Sequence, residues 1–219
     1  MKKLILISVI IMAIVFTSCA QNIPYVMGDG WWQHYPDTEK LMEVVDYVFI
    51  GKVTGIKFII VDHVTGIPAS LEESNNVGLY TIYEVDVITT YKGETSKISS
   101  FSIDGGIKDY RAKEQYELMK KYKAEFWEWG IPVHNNHPEY QIGEIYLFAL
   151  IRLVDTLPPT VINLNQSGYT LDDPTNHAIE GKRGISPQSI ISYFGEEKWD
   201  AFYTEWQKSD SIYKTKASE

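Results

Sequence analysis

Cysteine is almost absent from this chain: Cys19 is the only one in 219 residues. A lone thiol excludes an intramolecular disulfide and a thiolate-rich metal site, so any fold must rest on apolar burial. Long hydrophobic runs are missing as well. The apolar stretch Leu4 to Phe16 has thirteen residues, about 20 Å as a helix against a hydrocarbon core of about 30 Å, too short to span a bilayer comfortably. Catalytic signatures are missing too. There is no Gly-x-Ser-x-Gly, no His-Glu-x-x-His, and no glycine-rich phosphate loop or dinucleotide fingerprint after a strand. Basic charge is scarce, with 20 Lys and Arg against 29 Asp and Glu and a formal net charge of -9. Such a surface is repelled by membrane phospholipid, nucleic acid and anionic wall polymers.

What is present begins at the amino terminus. Met1-Lys2-Lys3, the run Leu4 to Phe16, and Thr17-Ser18-Cys19 form the charged, apolar and small-residue parts of a secretory signal. Two bland readings compete, an uncleaved membrane helix and an ordinary signal with an incidental cysteine. The short run weighs against the first, and the rarity of a lone free thiol in an exported protein weighs against the second. Phe16-Thr17-Ser18-Cys19 resembles the lipobox of bacterial prolipoproteins, with Phe16 where leucine is usual. That resemblance implies cleavage before Cys19, a diacylglycerol on its thiol, and acylation of the new amino terminus. The expected location is therefore the cell membrane, lipid-anchored and facing outside the cytoplasm. With Lys2 and Lys3 removed, 18 basic and 29 acidic residues remain, a net charge of -11.

The organisation expected is a signal over 1–18, a lipidated end and short irregular linker over 19–36, and a single extracytoplasmic domain over 37–219. At 44% hydrophobic, the chain has ample material for one core. Asp37-Thr38-Glu39 reads as a capped helix start, ending near Asp46. Tyr47 to Val61 is rich in β-branched and aromatic residues, with Gly51 and Gly55 where a long strand bends. Tyr80 to Tyr91 alternates, Tyr83, Val85 and Val87 on one face and Glu84 and Asp86 on the other. A third strand is expected over 97–103. Met119, Tyr122, Phe126 and Trp129 at helical spacing predict a long helix over 109–129, stopped by Gly130 and Pro132. Glu144 to Val154 reads as a central strand covered on both faces, with short strands over 161–164 and 168–171. Ser186-Pro187 opens a helix that Gly195 ends, and a second helix runs to about Lys208, carrying Trp199 and Trp206. The fold class predicted is α+β, a mostly antiparallel curved sheet or small OB-like barrel with a long inserted helix and carboxy-terminal helices.

The pattern Asp46 to Val53, Tyr80 to Val85, Tyr91-Lys92-Gly93-Glu94, Gly105-Gly106 and Gly143 to Leu147 looks like a set of uncharacterised extracytoplasmic proteins of Gram-positive bacteria. Their sheet resembles the OB-like barrel of netrin-type inhibitor domains. The resemblance spans about 46–171 and bears on fold; the inhibitors' amino-terminal disulfide has no counterpart here, so protease inhibition is not carried over.

Several constellations are candidates for chemistry. His134, His137 and Glu139 lie within six residues and could form half of a metal site, although such a cluster in a polar Asn/Pro segment, with no partner ligands evident elsewhere, is more often an exposed loop. Asp172-Asp173-Pro174-Thr175-Asn176 lacks calcium-loop spacing and reads as a turn. Glu84 and Asp86 could serve as a hydrolase carboxylate pair, or be the wet side of a strand. Trp31 and Trp32, beside the membrane, could cap the domain, rest at the lipid interface or bind a ligand. No cofactor, no catalytic residue and no nucleic-acid partner is expected. The function expected is binding of an extracellular protein or peptide at the cell surface; the alternative is a cell-envelope hydrolase using paired carboxylates or a metal.

Overall fold

The computed structural model describes residues 23–28, 33–69, 76–122, 130–135, 137–164, 166–170, 185–201 and 203–204. Cys19, Trp31, Trp32, the 172–176 turn, Phe126, Trp129 and Trp206 lie outside the described residues. In chain order come β1 (Tyr25–Gly28), α1 (Thr38–Val44), β2 (Tyr47–Asp62), β3 (Val77–Lys92), β4 (Ser100–Asp104), α2 (Ala112–Lys121), β5 (Ile131–His134), β6 (Ile145–Ile151), β7 (Thr160–Val161), β8 (Gly168–Thr170) and α3 (Pro187–Phe194). Residues 197–201 are helical again.

Five strands close on themselves in the order β2-β3-β4-β7-β6, with β6 returning to β2. Every pairing in this ring is antiparallel except β4 with β7. The result is the α+β architecture with a curved, mostly antiparallel sheet expected from the strand pattern. Curvature comes from β2, whose register against β3 shifts between Val48 and Phe49, Ile50 and Gly51, and Val53 and Gly55. Bulges of this kind increase local twist and let one 16-residue strand serve two walls of the ring. Its first half pairs with β6 from Tyr47↔Leu150 to Lys52↔Ile145, whereas its far end pairs with β3 and bridges to Pro68.

Alternation sends one face of each strand inward. Phe49, Tyr83, Phe101, Tyr140, Tyr146 and Phe148 fill the interior. Tyr83 and Phe101 stack at 5.1 Å, and the other rings meet edge-on or tilted, with Phe101 and Phe148 at 4.8 Å and Tyr140 and Phe148 at 5.3 Å between centroids. The opposite face of β2 and β6 is also covered, because Val48, Ile50, Leu147 and Ala149 pack against Leu41 and Met42 of α1 and Ile190 and Ile191 of α3. That double covering explains the unbroken apolar reading of β6. Trp199 joins this outer cluster, its ring stacked on Tyr203 at 5.4 Å. The caps follow the sequence: Asp37 accepts from the Lys40 N–H at 2.8 Å, and Ser186 forms a reciprocal capping box with Ser189.

Three expectations need correction. The 19–36 segment is not irregular throughout: Tyr25–Gly28 is a strand, parallel to Ile131–His134. Its partner lies over a hundred residues away, so no local pattern announced it. The inserted helix opens later than the periodicity suggests, and residues 123–129 of the expected span lie outside the described residues. It opens only at Ala112 because Asp109 and Arg111 hold left-handed backbone angles (φ 61° and 48°), and Asp109 spends its N–H on the Tyr25 hydroxyl at 3.0 Å. It closes at Lys121, where Tyr122 turns extended. Its buried face carries Gln115, whose Oε1 accepts from the Ile107 N–H at 3.1 Å while Nε2 donates to the carbonyls of Ile107 and Tyr110. Finally, the His134 to Glu139 segment is not simply an exposed loop. Ile131–His134 is strand, and His137 is largely buried against the Tyr83 ring at 6.3 Å.

Candidate binding site

The polar candidates do not converge. His134 ends β5 and stands 3.9 Å from the Asp104 carboxylate at the end of β4. That carboxylate raises the imidazole above its ordinary value, against the opposing effect of burial. His137 is pushed the other way, down to about 4, by burial first and by His134 second. Both of its ring nitrogens are buried with no hydrogen-bond partner among the described residues. Glu139 is exposed and lines a separate depression of about 260 Å³ with Ile56, Tyr110 and Ile142. Among the described residues no three His, Cys, Asp or Glu side chains gather as metal ligands. Glu84 is held by Lys57 at 2.9 Å, and Asp86 points to solvent on the same strand face.

The two histidines give opposite pH dependences in separate windows. His134, with its raised value, contributes stability that is complete below pH 6.5 and is lost as pH rises through the folded-state value. His137 remains neutral in the fold while the unfolded chain takes up a proton, so stability falls as pH drops from 6.5 toward 4. The His137 effect amounts to roughly 3 kcal/mol at the acid end of that window. Urea unfolding of the wild type and of His137→Phe across this range measures it. The variant is expected to lose the His137 share of the acid slope, leaving only the background from carboxylates; parallel slopes would contradict the assignment.

A different group does converge, at the loops joining β2 to β3 and β6 to β7. Asp62 closes β2 with a turn in which its Oδ1 accepts from the Val64 and Thr65 N–H groups at 2.9 and 2.8 Å. These bonds, the Thr65 one foremost, hold its carboxyl below the usual range. Gly66 follows at φ +66°, and a Cβ there would come within 2.8 Å of Thr156 Oγ1 and 2.9 Å of Val154. Only glycine suits both the angle and the contact. Thr156 donates to the Thr65 carbonyl at 3.0 Å, which ties the two loops together.

Around this tie the apolar side chains face outward: Val64 is 77% exposed, Leu153 71%, Ile67 44% and Val154 43%. Beside them lies an open depression of about 440 Å³ lined by Asp46, Tyr47, Arg152, Leu153, Val154 and Asp155. Arg152 is fixed there. Its backbone N–H donates to Asp46 at 2.8 Å, its Nε donates to the Tyr47 hydroxyl at 2.8 Å, and its guanidinium sits 5.4 Å from the Tyr47 ring centroid. An aromatic ring, a guanidinium hydrogen-bonded to its hydroxyl and four exposed aliphatic side chains thus lie at one end of the sheet.

The sequence pattern missed this cluster for a definite reason. Leu153 and Val154 continue the apolar run of β6 and read as strand, yet β6 stops at Ile151. Val64 and Ile67 are single apolar residues in a turn-rich stretch. Compared with known proteins, the chain matches no family model and no curated sequence.

Proposed function

We propose that this chain is a membrane-anchored extracytoplasmic lipoprotein, held by lipid on Cys19, whose barrel binds a protein or peptide partner through its paired loops. The observation that carries the binding half is the tie between Thr65, Gly66, Val154 and Thr156, which places Val64, Ile67, Leu153 and Val154 together at the surface. Exposed apolar groups clustered beside a fixed arginine mark interaction sites, whereas scattered ones need no explanation. The anchor half is supported by the lysines, the apolar run and the cysteine at its end.

Photo-crosslinking tests the binding half in cells, with a photoreactive residue at Ile67, at Leu153, or at Tyr193 as an exposed control on α3. The expected result is one envelope protein or peptide trapped from both loop positions and not from Tyr193. Introducing Val64→Asp with Leu153→Asp should abolish that adduct while leaving circular dichroism unchanged. Equal trapping from all three positions, or persistence of the adduct in the charged variant, would contradict the assignment.

A further inference from the structure

The strand nearest the anchor is fixed firmly to the body. Ile23 packs on the interior cluster, the Pro24 carbonyl accepts from the Ile131 N–H at 2.9 Å, and the Tyr25 hydroxyl donates to Asp109 at 3.2 Å. Gly130, at φ +125°, lies so close to Pro24 that a Cβ would come within 2.5 Å of the Pro24 carbonyl oxygen. From Cys19 to Ile23 there are four residue steps, at most about 14 Å of fully extended chain. A lipid on Cys19 therefore brings the surface around Ile23 within headgroup reach, and the choice of face is made by the fold.

That face has a distinct charge. Residues 108–121 carry five basic side chains (Lys108, Arg111, Lys113, Lys120 and Lys121) against three acidic ones, inside a chain of net charge -9. Helix α2 supplies most of them, lies against β5, and ends on Lys120 and Lys121, both exposed. On β1 itself Val26 and Met27 are exposed apolar residues.

We propose that the flank formed by β1 and α2 is the membrane-apposed face, with Lys120 and Lys121 on anionic phospholipid headgroups and Met27 at the interface. This rests on the lipid-anchor reading and adds an orientation to it. Acyl chains retain the protein, and a basic patch beside them supplies a second, electrostatic contact that fixes which side faces the bilayer. The acidic remainder is repelled from the same surface, which reinforces the orientation.

The test uses the full-length lipidated protein in vesicles containing phosphatidylglycerol and headgroup-quencher lipid. With Cys19 acylated, a thiol introduced by Met27→Cys, Glu117→Cys or Tyr193→Cys is the only one open to a fluorophore. Quenching at Met27→Cys and Glu117→Cys is expected to exceed that at Tyr193→Cys several-fold. Adding Lys120→Glu with Lys121→Glu should reduce that difference, as should raising the salt concentration. Equal quenching at all three sites in a protein that sediments with vesicles would overturn the orientation and leave the anchor standing. An undiminished difference in phosphatidylcholine alone would overturn the headgroup contact. Absence of lipid on Cys19 would overturn the anchor and the orientation together.

Discussion

Phe148→Ala is expected to destabilise the domain by about 3–5 kcal/mol, the range for removing a fully buried phenyl ring from a core that cannot collapse around the gap. Phe148 is completely buried, and its ring contacts those of Phe49 at 5.4 Å, Phe101 at 4.8 Å, Tyr140 at 5.3 Å and Tyr146 at 5.7 Å. The strands carrying Phe49 and Phe101, β2 and β4, are hydrogen-bonded into the same closed ring as β6, so they cannot move inward independently. A loss of this size is a large share of the roughly 5–15 kcal/mol that holds a typical domain together. Phe148→Leu, which keeps most of the volume, should cost less than about 1.5–2 kcal/mol. Urea unfolding of both variants measures the difference. A cost below about 1 kcal/mol for the alanine variant would mean that the aromatic interior is loosely packed.

Cys19→Ala is expected to remove all lipid labelling and to release the protein from the membrane fraction. The thiol is the attachment point that the lipobox resemblance implies, and the chain has no second one. Each buried methylene contributes about 0.8 kcal/mol, so two or more acyl chains hold a protein where one holds it only marginally. Metabolic labelling with an acyl analogue, followed by fractionation, reads both effects. Undiminished labelling would remove the anchor from the account.

The barrel was legible because its signals are local. Period-two alternation over Tyr83 to Val87, the glycines that let β2 bend, and the Ser186-Pro187 cap each act within a few residues. Whatever depends on contacts across long loops was not legible. The pairing of Tyr25 with Ile131 joins segments that look like a linker and a helix stop when read alone. The late start of α2 reflects Tyr25 capturing Asp109, again across the chain. The candidate site divides in the same way. His134 was singled out by residue type, but Asp104, which sets its protonation, is thirty residues earlier and carried no motif. Exposure of the loops is a property of the finished surface: Leu153 and Ile151 look alike until β6 ends between them.

The parallel pairing of β1 with β5 also imposes an order on assembly. Tyr25 cannot meet Ile131 until the hundred residues between them have been made and, on the lipoprotein reading, have crossed the membrane. Closing so long a loop is entropically costly before other contacts shorten it, so hairpins such as β2 with β3 form first and β1 docks late. The edge of β5 therefore stays open until the rest of the sheet has brought Tyr25 and Ile131 close, and the amino-terminal strand is the last piece to close that flank.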